Sequence, residues 1–218
     1  MSGAEKEDKS GLVSLRVGST DSGVVEDYYD SWAASYDETL KDWCYATPSD
    51  AADLLVPLLP TGAKVLDVGC GTGGMGGELA RRGQFNIDGF DISTASLALA
   101  AERGCYRALT QCDLQKLPLP AADNSYEAAV SVGVLTYIED GAALMRDLCR
   151  IVRPDGMIAF TMRSDLWAVR RYPKLLKDLA AAGLWSVHHI SAPLPYLPGN
   201  EDFQEDIKVI HTLCRVLG

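Results

Sequence analysis

The sequence predicts an α/β fold with one doubly wound sheet of seven strands, mostly parallel, that ends in a C-terminal antiparallel strand pair. The first observation behind this prediction is length, because 218 residues suffice for one large core and are short for two. The second is an alternation of short apolar runs with helical stretches, which is typical of right-handed crossovers between parallel strands. The third is a pair of β-like runs joined by a proline-rich segment near the end of the chain.

Two helices and a tail are predicted before the sheet. Residues 1–22 lack apolar periodicity, so we expect a flexible N-terminal tail. Across residues 24–40 the apolar and aromatic side chains recur every three or four positions, which indicates a helix. A second helix is predicted at residues 49–59, between Pro48 and a Pro-Thr-Gly turn. Residues 23–60 would carry these helices, and residues 23–218 would form a single domain.

The strands of the sheet are predicted from short apolar runs that end in glycine or an acid. The parallel strands are expected at residues 64–68, 86–90, 107–111, 128–132 and 157–162. Helices are expected at residues 76–82, 93–103, 142–152 and 172–182. The last two runs, residues 184–190 and 209–216, are predicted to pair antiparallel at the edge of the sheet.

The composition argues against several classes of protein. Hydrophobic residues make up 47% of the chain and charged residues 23%, which indicates a packed globular protein. No apolar run approaches the roughly 18 residues that span a bilayer, and the charged N-terminus does not fit a signal peptide, so we expect a cytoplasmic protein without membrane insertion. The net charge of −10 opposes nucleic acid, and six cysteines without C-x-x-C spacing predict no metal site.

A glycine loop is the strongest functional signal in the sequence. The segment VLDVGCGTGG, from Val65 to Gly74, has the pattern of a buried strand, a glycine turn and the start of a helix. Glycines let the backbone approach a ligand at the carboxyl edge of an open α/β sheet. Since Gly69, Gly71 and Gly74 also satisfy the G-x-G-x-x-G pattern of nicotinamide and flavin proteins, the glycines alone do not select a cofactor.

Three acids at successive strand ends narrow the choice of cofactor. Asp67 lies inside the first strand, where it can reach the loop amides and a cofactor ammonium group, whereas a pyrophosphate would gain nothing from a carboxylate there. Asp91 follows the second strand and can accept from two ribose hydroxyls. Asp113 follows the third and can accept from an adenine amino group, with Leu114 packed on the ring. Together they predict an adenosyl cofactor that carries an amino acid.

These side chains also have purely structural interpretations. Asp113 could cap the turn that follows it, and Asp91 could cap the helix that begins near Ser93. The aromatic side chains of residues 24–40 could simply be core packing. Cys70 has no base beside it in the sequence, so it is not predicted to be a nucleophile.

The chain resembles the class I S-adenosylmethionine-dependent methyltransferases, which have a Rossmann-like sheet, through the segments VLDVGCGTG, FDIS, CDLQKLPLP and LCRIVRPDGMIAF. The resemblance covers residues 24–218 and implies S-adenosyl-L-methionine as cofactor, with S-adenosyl-L-homocysteine as product. Residues 29–37, YDSWAASYD, are similar to the entrance helix of the methyltransferase-like family named after the Williams–Beuren syndrome chromosomal region. The cofactor-binding residues that follow from the pattern and the resemblance are Tyr29, Trp32 and Tyr36 as a lid, then Asp67, Gly69, Cys70, Gly71, Gly73, Asp91, Ile92, Ser93, Cys112, Asp113, Leu114, Ser131, Val132 and Gly133.

The residues that act on the acceptor are less clear from the sequence. Methyl transfer needs a base only when the acceptor begins protonated. The candidate bases are Tyr137, His188, His189 and His211, and Arg163 is a candidate clamp for an anionic group or a loop-closing residue. Histidines in strands are more often packing residues, and adjacent ones face opposite sides of a sheet.

We expect a small-molecule acceptor. The end of the fourth strand, Ser131-Val132-Gly133-Val134, lacks the Asn/Asp-Pro-Pro-aromatic pattern that holds a flipped base in nucleic-acid methyltransferases. Two alternatives stay open: a cofactor-binding regulatory or partner protein without turnover, and an NAD-dependent oxidoreductase. The oxidoreductase is disfavoured because the chain has no Tyr-x-x-x-Lys dyad and no second catalytic domain.

Overall fold

The computed structural model describes residues 16, 18–203 and 206–218. The predicted tail of residues 1–22 therefore lies mostly outside the described residues. Within them, helix α1 spans Ser22–Asp42, and its N-cap Asp21 accepts a hydrogen bond from the backbone N–H of Val24. The α1 helix is longer than the predicted 24–40, because this cap satisfies a first-turn amide that would otherwise lack a partner.

Helix α2 spans Thr47–Leu55 and continues into a 3₁₀ turn at Val56–Leu58. It begins two residues before the predicted start at residue 49. Pro48 lies in its first turn, where a missing backbone N–H costs nothing.

The sheet has the predicted architecture. Its strands are β1 (Lys64–Val68), β2 (Asn86–Asp91), β3 (Tyr106–Gln111), β4 (Tyr126–Ser131), β5 (Val152–Arg163), β6 (Trp185–Ile190), β7 (Leu194–Pro195) and β8 (Lys208–Val216). The order is β3-β2-β1-β4-β5-β8-β6; the first five strands are parallel, and β8 pairs antiparallel with both β5 and β6. The main path thus has seven strands, and the short β7 adds an eighth by pairing with β8.

The remaining helices connect the strands across both faces of the sheet. They are α3 (Gly74–Arg82), α4 (Thr94–Glu102), α5 (Gly141–Ile151), α6 (Ser164–Val169) and α7 (Tyr172–Ala181). The sequence did not predict α6, because six residues are too few to show a helical period. No helix within the described residues combines the length and apolarity needed to cross a membrane.

The core lies on both faces of the sheet. One face packs against α5 and α7, with Phe160 and Trp185 almost fully buried there. The other packs against α2 and α3, with Leu55 and Leu79 fully buried. Strand order reverses between β1 and β4, and at such a switch point the two connecting helices leave on opposite faces and open a crevice at the carboxyl edge.

Candidate active site at the carboxyl edge of the sheet

The glycine loop between β1 and α3 is held tightly against β2. The carbonyl oxygen of Phe90 accepts hydrogen bonds from the backbone N–H of Gly69 (2.7 Å) and of Cys70 (2.9 Å). Gly69 has φ +76°, and a Cβ there would lie 2.3 Å from Cγ2 of Val134, so no larger residue fits. Gly71 has φ +52°, and its missing Cβ would meet no atom within 4 Å, because its backbone faces the open crevice.

Asp91 ties this loop to the start of α4. Its Oδ2 accepts from the backbone N–H of Gly71 (2.7 Å) and its Oδ1 from that of Ser93 (2.9 Å). The helix cap itself is the hydroxyl of Ser93, which accepts from the N–H of Ser96 (3.0 Å), so the interpretation of Asp91 as the cap is wrong. Burial raises the pKa of the Asp91 carboxyl above its ordinary value, although the two backbone hydrogen bonds oppose that shift.

Asp113 caps a turn and also faces the crevice. Its Oδ1 accepts from the backbone N–H of Gln115 (3.0 Å), which is the structural role considered for it, and Lys116 lies 3.5 Å from Oδ2. Its neighbour Leu114 is buried. Since Asp113 and Leu114 line the same cavity, the capping role and the binding role are compatible.

The first cavity runs along this edge from Asp113 to the glycine loop. It brings together eleven residues that the sequence singles out: Tyr29, Tyr36, Gly69, Gly71, Asp91, Ile92, Asp113, Leu114, Val132, Gly133 and Tyr137. The sequence did not single out Gln115, Val134 and Ile138, which also line it. Gln115 follows β3, and Val134 and Ile138 follow β4. Their position shortly after a strand end was the sequence signal that could have found them.

Other predicted cofactor residues lie elsewhere. Trp32 lines a second cavity and is not among the lining residues of the first. Gly73, Ser93, Cys112 and Ser131 line neither of these two cavities nor the third one described below.

Asp67 and Cys70 line a third cavity, beyond the glycine loop, which shares Gly69, Gly71 and Tyr36 with the first. Burial raises the pKa of the Cys70 thiol strongly, so it stays protonated and is a poor nucleophile.

Asp67 has a partner that the sequence did not predict. Its carboxylate is 1% exposed, and Oδ2 accepts a 2.7 Å hydrogen bond from the hydroxyl of Tyr106 on β3. That hydroxyl also accepts from the backbone N–H of Gly76 (3.2 Å). Burial raises the pKa of Asp67 to about 7. The available sequence signal for Tyr106 was the glycine at position 76, which leaves room for a large ring. A Cβ on Gly76 would lie 2.3 Å from the Tyr106 ring.

Two further residues, which the sequence analysis did not single out, anchor α1 over the site. Oδ1 of Asp30 accepts from the hydroxyl of Ser93 (2.5 Å) and from the backbone N–H of Ala95 (3.1 Å), at the start of α4. Asp37, seven residues later on the same helix face, accepts from the hydroxyl of Thr72 (2.6 Å) and pairs with Arg103. Each acid directly follows a tyrosine of YDSWAASYD, and that repeat was the available signal.

The second cavity adjoins the first. Its walls are mostly aromatic: Tyr29, Trp32, Tyr36, Leu40, Tyr45, Gly133, Thr136, Tyr137, Arg163, Tyr196, Leu197 and Phe203. Tyr29, Tyr36, Gly133 and Tyr137 belong to both cavities, so the two spaces meet across these residues.

Arg163 is the cation of the second cavity. Its side chain is 4% exposed, and its guanidinium group makes a two-pronged contact with Asp165, through Nε (3.1 Å) and Nη2 (2.7 Å). The same group lies over the ring of Phe203, 5.3 Å from its centroid. Because Asp165 balances its charge, Arg163 is poorly suited to be the anion clamp that the sequence suggested.

The candidate bases are not placed to act as bases. Burial raises the pKa of Tyr137, so its hydroxyl stays neutral. His188 and His189 are exposed on β6, at the edge of the sheet, and line none of the three cavities. The physical reason is topology, because β8 lies between β6 and the carboxyl end of β5.

Comparisons with known proteins agree with this geometry. Residues 66–160 match the family described as a methyltransferase domain. Methyltransferase-like protein 27 from Homo sapiens is 32% identical over 164 residues, covering 72% of this chain and 66% of that protein. Ubiquinone biosynthesis O-methyltransferase from Neisseria meningitidis is 29% identical over 104 residues, covering 46% and 44%.

The likeness extends to solved structures. A Haloferax volcanii complex between the Trm112 methyltransferase activator and a putative methyltransferase matches with a TM-score of 0.68 at 17% identity, over 87% of this chain and 98% of the matched chain. At that identity the match concerns the fold alone. The chain spans from 44% to 66% of the length of the two curated relatives named above.

Proposed function

Because the chain belongs to the class I S-adenosylmethionine-dependent methyltransferases, we propose that it transfers a methyl group from S-adenosylmethionine to a small-molecule acceptor. The observation that carries this proposal is the meeting of two cavities. The first has the glycine loop and two of the three acids expected of the cofactor site, Asp91 and Asp113, and the second shares Tyr29, Tyr36, Gly133 and Tyr137 with it. An acceptor in the second cavity would therefore adjoin a donor in the first.

The residues of the first cavity fit the cofactor. Asp113 and Leu114 would hold the adenine, and Asp91 the ribose hydroxyls. Each Asp91 oxygen accepts one backbone N–H and keeps a lone pair for a further donor. Gly71 faces open space, which allows close approach of the methionine part.

The amino-acid end of the cofactor would extend toward the third cavity and Asp67. When bound, S-adenosylmethionine supplies a methyl group activated by a sulfonium. The chain's own contribution is alignment and exclusion of water, and both depend on α1 staying in place over the cleft. Asp30 and Asp37 fix α1 at two points, one on α4 and one on the glycine loop.

The size and chemistry of the second cavity favour a small acceptor. Aromatic side chains from α1, from the α1–α2 connection and from the segment before β8 enclose it. The chain's net charge of −10 disfavours a nucleic-acid substrate. A quinone-pathway methyltransferase is among the proteins to which this chain is similar, which is consistent with a small acceptor.

An open second cavity also favours an enzyme over a regulatory protein that binds the cofactor without turnover. In a regulator of that kind we would expect the protein's own side chains to fill the acceptor space. The described residues instead leave a space between α1 and Arg163.

Calorimetry of the purified chain with S-adenosylmethionine, S-adenosylhomocysteine and NADH tests the proposal. We expect micromolar binding of both adenosyl ligands. In an Asp91→Asn variant we expect affinity to fall by about tenfold or more, since a hydrogen bond to a charged group contributes roughly 1.5–3 kcal/mol. Asp123→Asn, in an exposed turn, is the matched control. Binding of NADH alone, or of none of the three, would overturn the proposal.

A further inference from the structure

We propose that the acceptor is a neutral, planar nitrogen heterocycle of the pyridine type, methylated on its ring nitrogen, and that the second cavity binds both this acceptor and the cation formed from it. The inference rests on the proposed function, and it assigns a class of substrate to the second cavity. Three properties of the cavity lead to it: flat aromatic walls, the absence of a base among the described lining residues, and a cation whose charge is already balanced.

The walls are aromatic rings that hold one another in place. Trp32 and Tyr36 lie edge to face, with centroids 4.6 Å apart at 75°, and Tyr45 and Tyr196 do so at 5.6 Å and 80°. Phe203 in turn packs against Tyr196 at 5.9 Å. Rings fixed in this way offer flat faces and edges, which favour a flat aromatic guest over a flexible aliphatic one.

The described lining residues of the second cavity include no carboxylate, histidine, lysine or thiol. Its ionisable groups are Arg163 and five tyrosines, and burial raises the pKa of all five, so their hydroxyls stay neutral.

Among the described residues, charged groups on the neighbouring elements do not supply a base either. Asp165 is paired with Arg163, and Asp37 is occupied by Thr72 and Arg103. His211 on β8 lies next to Thr161 in the sheet register; it is 1% exposed, its pKa is lowered by burial, and it does not line the second cavity.

This environment selects among acceptor atoms. Alcohols, phenols and alkylammonium groups are protonated at neutral pH and need a base to react. Carboxylates and thiolates need no base, but they would carry an anion into a neutral aromatic cavity whose cation already faces Asp165, at a large desolvation cost. A pyridine-type nitrogen is uncharged at neutral pH and has a free lone pair in the plane of its ring.

The reaction then balances without a proton acceptor. The lone pair of the ring nitrogen forms the new N–C bond to the methyl carbon, the C–S bond breaks, and its electron pair stays on sulfur. The positive charge passes from the sulfonium to the heterocycle, and no proton is released. Aromatic faces attract such a cation. The pairing of Arg163 with Asp165 prevents an uncompensated positive charge from repelling it.

The test uses the full chain with S-adenosylhomocysteine bound, and five bicyclic probes of similar size: quinoline, N-methylquinolinium, 2-naphthol, 2-naphthoate and 2-naphthalenethiol. Calorimetry measures binding, and mass spectrometry measures methylation of the four neutral or anionic probes with S-adenosylmethionine. We expect quinoline and N-methylquinolinium to bind at least tenfold more tightly than the anionic naphthoate and naphthalenethiolate, because only those two carry a negative charge into the cavity. The neutral 2-naphthol can bind, but we expect quinoline to be the only probe that is methylated.

Two variants of Tyr196, which lines the second cavity and not the first, link the result to the aromatic wall. Tyr196→Leu removes the ring, and we expect it to weaken N-methylquinolinium binding about tenfold. Tyr196→Phe keeps the ring, and we expect near-normal binding. S-adenosylhomocysteine affinity, measured on each variant, shows that the first cavity is still folded.

Methylation of the naphthol, naphthoate or thiol would overturn this inference, as would quinoline binding no better than the two anionic probes. If S-adenosylhomocysteine binds while the heterocycles do not, the inference fails and the proposed function stands. If S-adenosylhomocysteine itself does not bind, the proposed function fails as well.

Discussion

The hydroxyl of Tyr106 donates a 2.7 Å hydrogen bond to Oδ2 of Asp67, a carboxylate buried beneath the glycine loop. The two residues are 39 positions apart and belong to β3 and β1, which are not neighbours in the sheet. The ring of Tyr106 crosses β2 at Gly89, where a Cβ would lie 3.0 Å from it. Tyr106 therefore supports the loop from below and supplies the donor that a buried carboxylate needs.

Tyr106→Phe should destabilise the chain by about 1–3 kcal/mol, because it leaves Asp67 without its hydroxyl donor. It should also weaken S-adenosylhomocysteine binding, since the loop loses its support. Tyr126→Phe is the matched control: Tyr126 donates 2.8 Å to the buried Asp88, which keeps Arg107 as a partner and lies away from the cavities. Urea unfolding and calorimetry measure the two effects, and equal losses of affinity in both variants would contradict the prediction.

The pKa of about 7 for Asp67 predicts a pH dependence of stability. The folded-state pKa lies above the ordinary value, so the folded state holds the proton more tightly than the unfolded state does. The contribution of Asp67 is then fully present below about pH 4 and is lost as pH rises toward 7, by about 1.4 kcal/mol per pH unit.

Asp67→Asn removes this titration while keeping an oxygen that can accept from Tyr106. The difference in the free energy of unfolding between Asp67→Asn and the parent chain should grow in favour of the variant between pH 4 and 7, and then level off. Urea titrations at pH 4, 5, 6, 7 and 8 measure it. A difference that does not vary with pH would show that Asp67 does not titrate in this range.

Asp37→Ala should loosen helix α1 at its attachment to the glycine loop. Thr72 loses its acceptor and Arg103 its ion pair, so the amides of residues 30–42 should exchange faster with deuterium. S-adenosylhomocysteine should bind about tenfold more weakly, mainly through faster dissociation. Glu38→Ala, an exposed neighbour on the same helix, should change neither quantity, and similar behaviour of the two variants would refute the anchoring role.

Gly69→Ala should destabilise the chain by at least about 2 kcal/mol, because it combines a left-handed backbone conformation with overpacking. The clash is with Val134, so adding Val134→Ala should restore part of the lost stability. The loss caused by the left-handed backbone conformation of residue 69 should remain. Thermal unfolding of the single and double variants gives the measurement. If Val134→Ala restores nothing, the overpacking is not with Val134.

Much of this fold could be predicted from the sequence, because β1, β2 and β4 are mostly buried runs that end in an acid or are followed closely by a glycine. The strand run of residues 64–68 matches β1, and Asp91 and Asp113 lie at the sheet edge as expected. Trp32 shows the limit of helical periodicity. It lies three residues after Tyr29 and on the same broad stripe of α1, yet Tyr29 lines both the first and the second cavity and Trp32 lines only the second.

Contacts between distant segments could not be predicted from local patterns. The bond between Tyr106 and Asp67 crosses a whole strand, and the ion pair of Arg163 with Asp165 forms in a helix too short to recognise. The cytoplasmic location, the single domain at residues 23–218 and the roles assigned to individual site residues stay predictions.

Tyr36 borders all three cavities, and the centroids of the Trp32 and Tyr36 rings are 4.6 Å apart. The indole of Trp32 lines the second cavity, so a molecule bound there would change its surroundings directly. A molecule in either of the other two cavities would act on it through Tyr36. The chain thus carries a built-in fluorophore at the junction of its binding spaces. The chain has four tryptophans, so the part of the emission change that is lost in Trp32→Phe reports cofactor and acceptor arrival in real time and without a label.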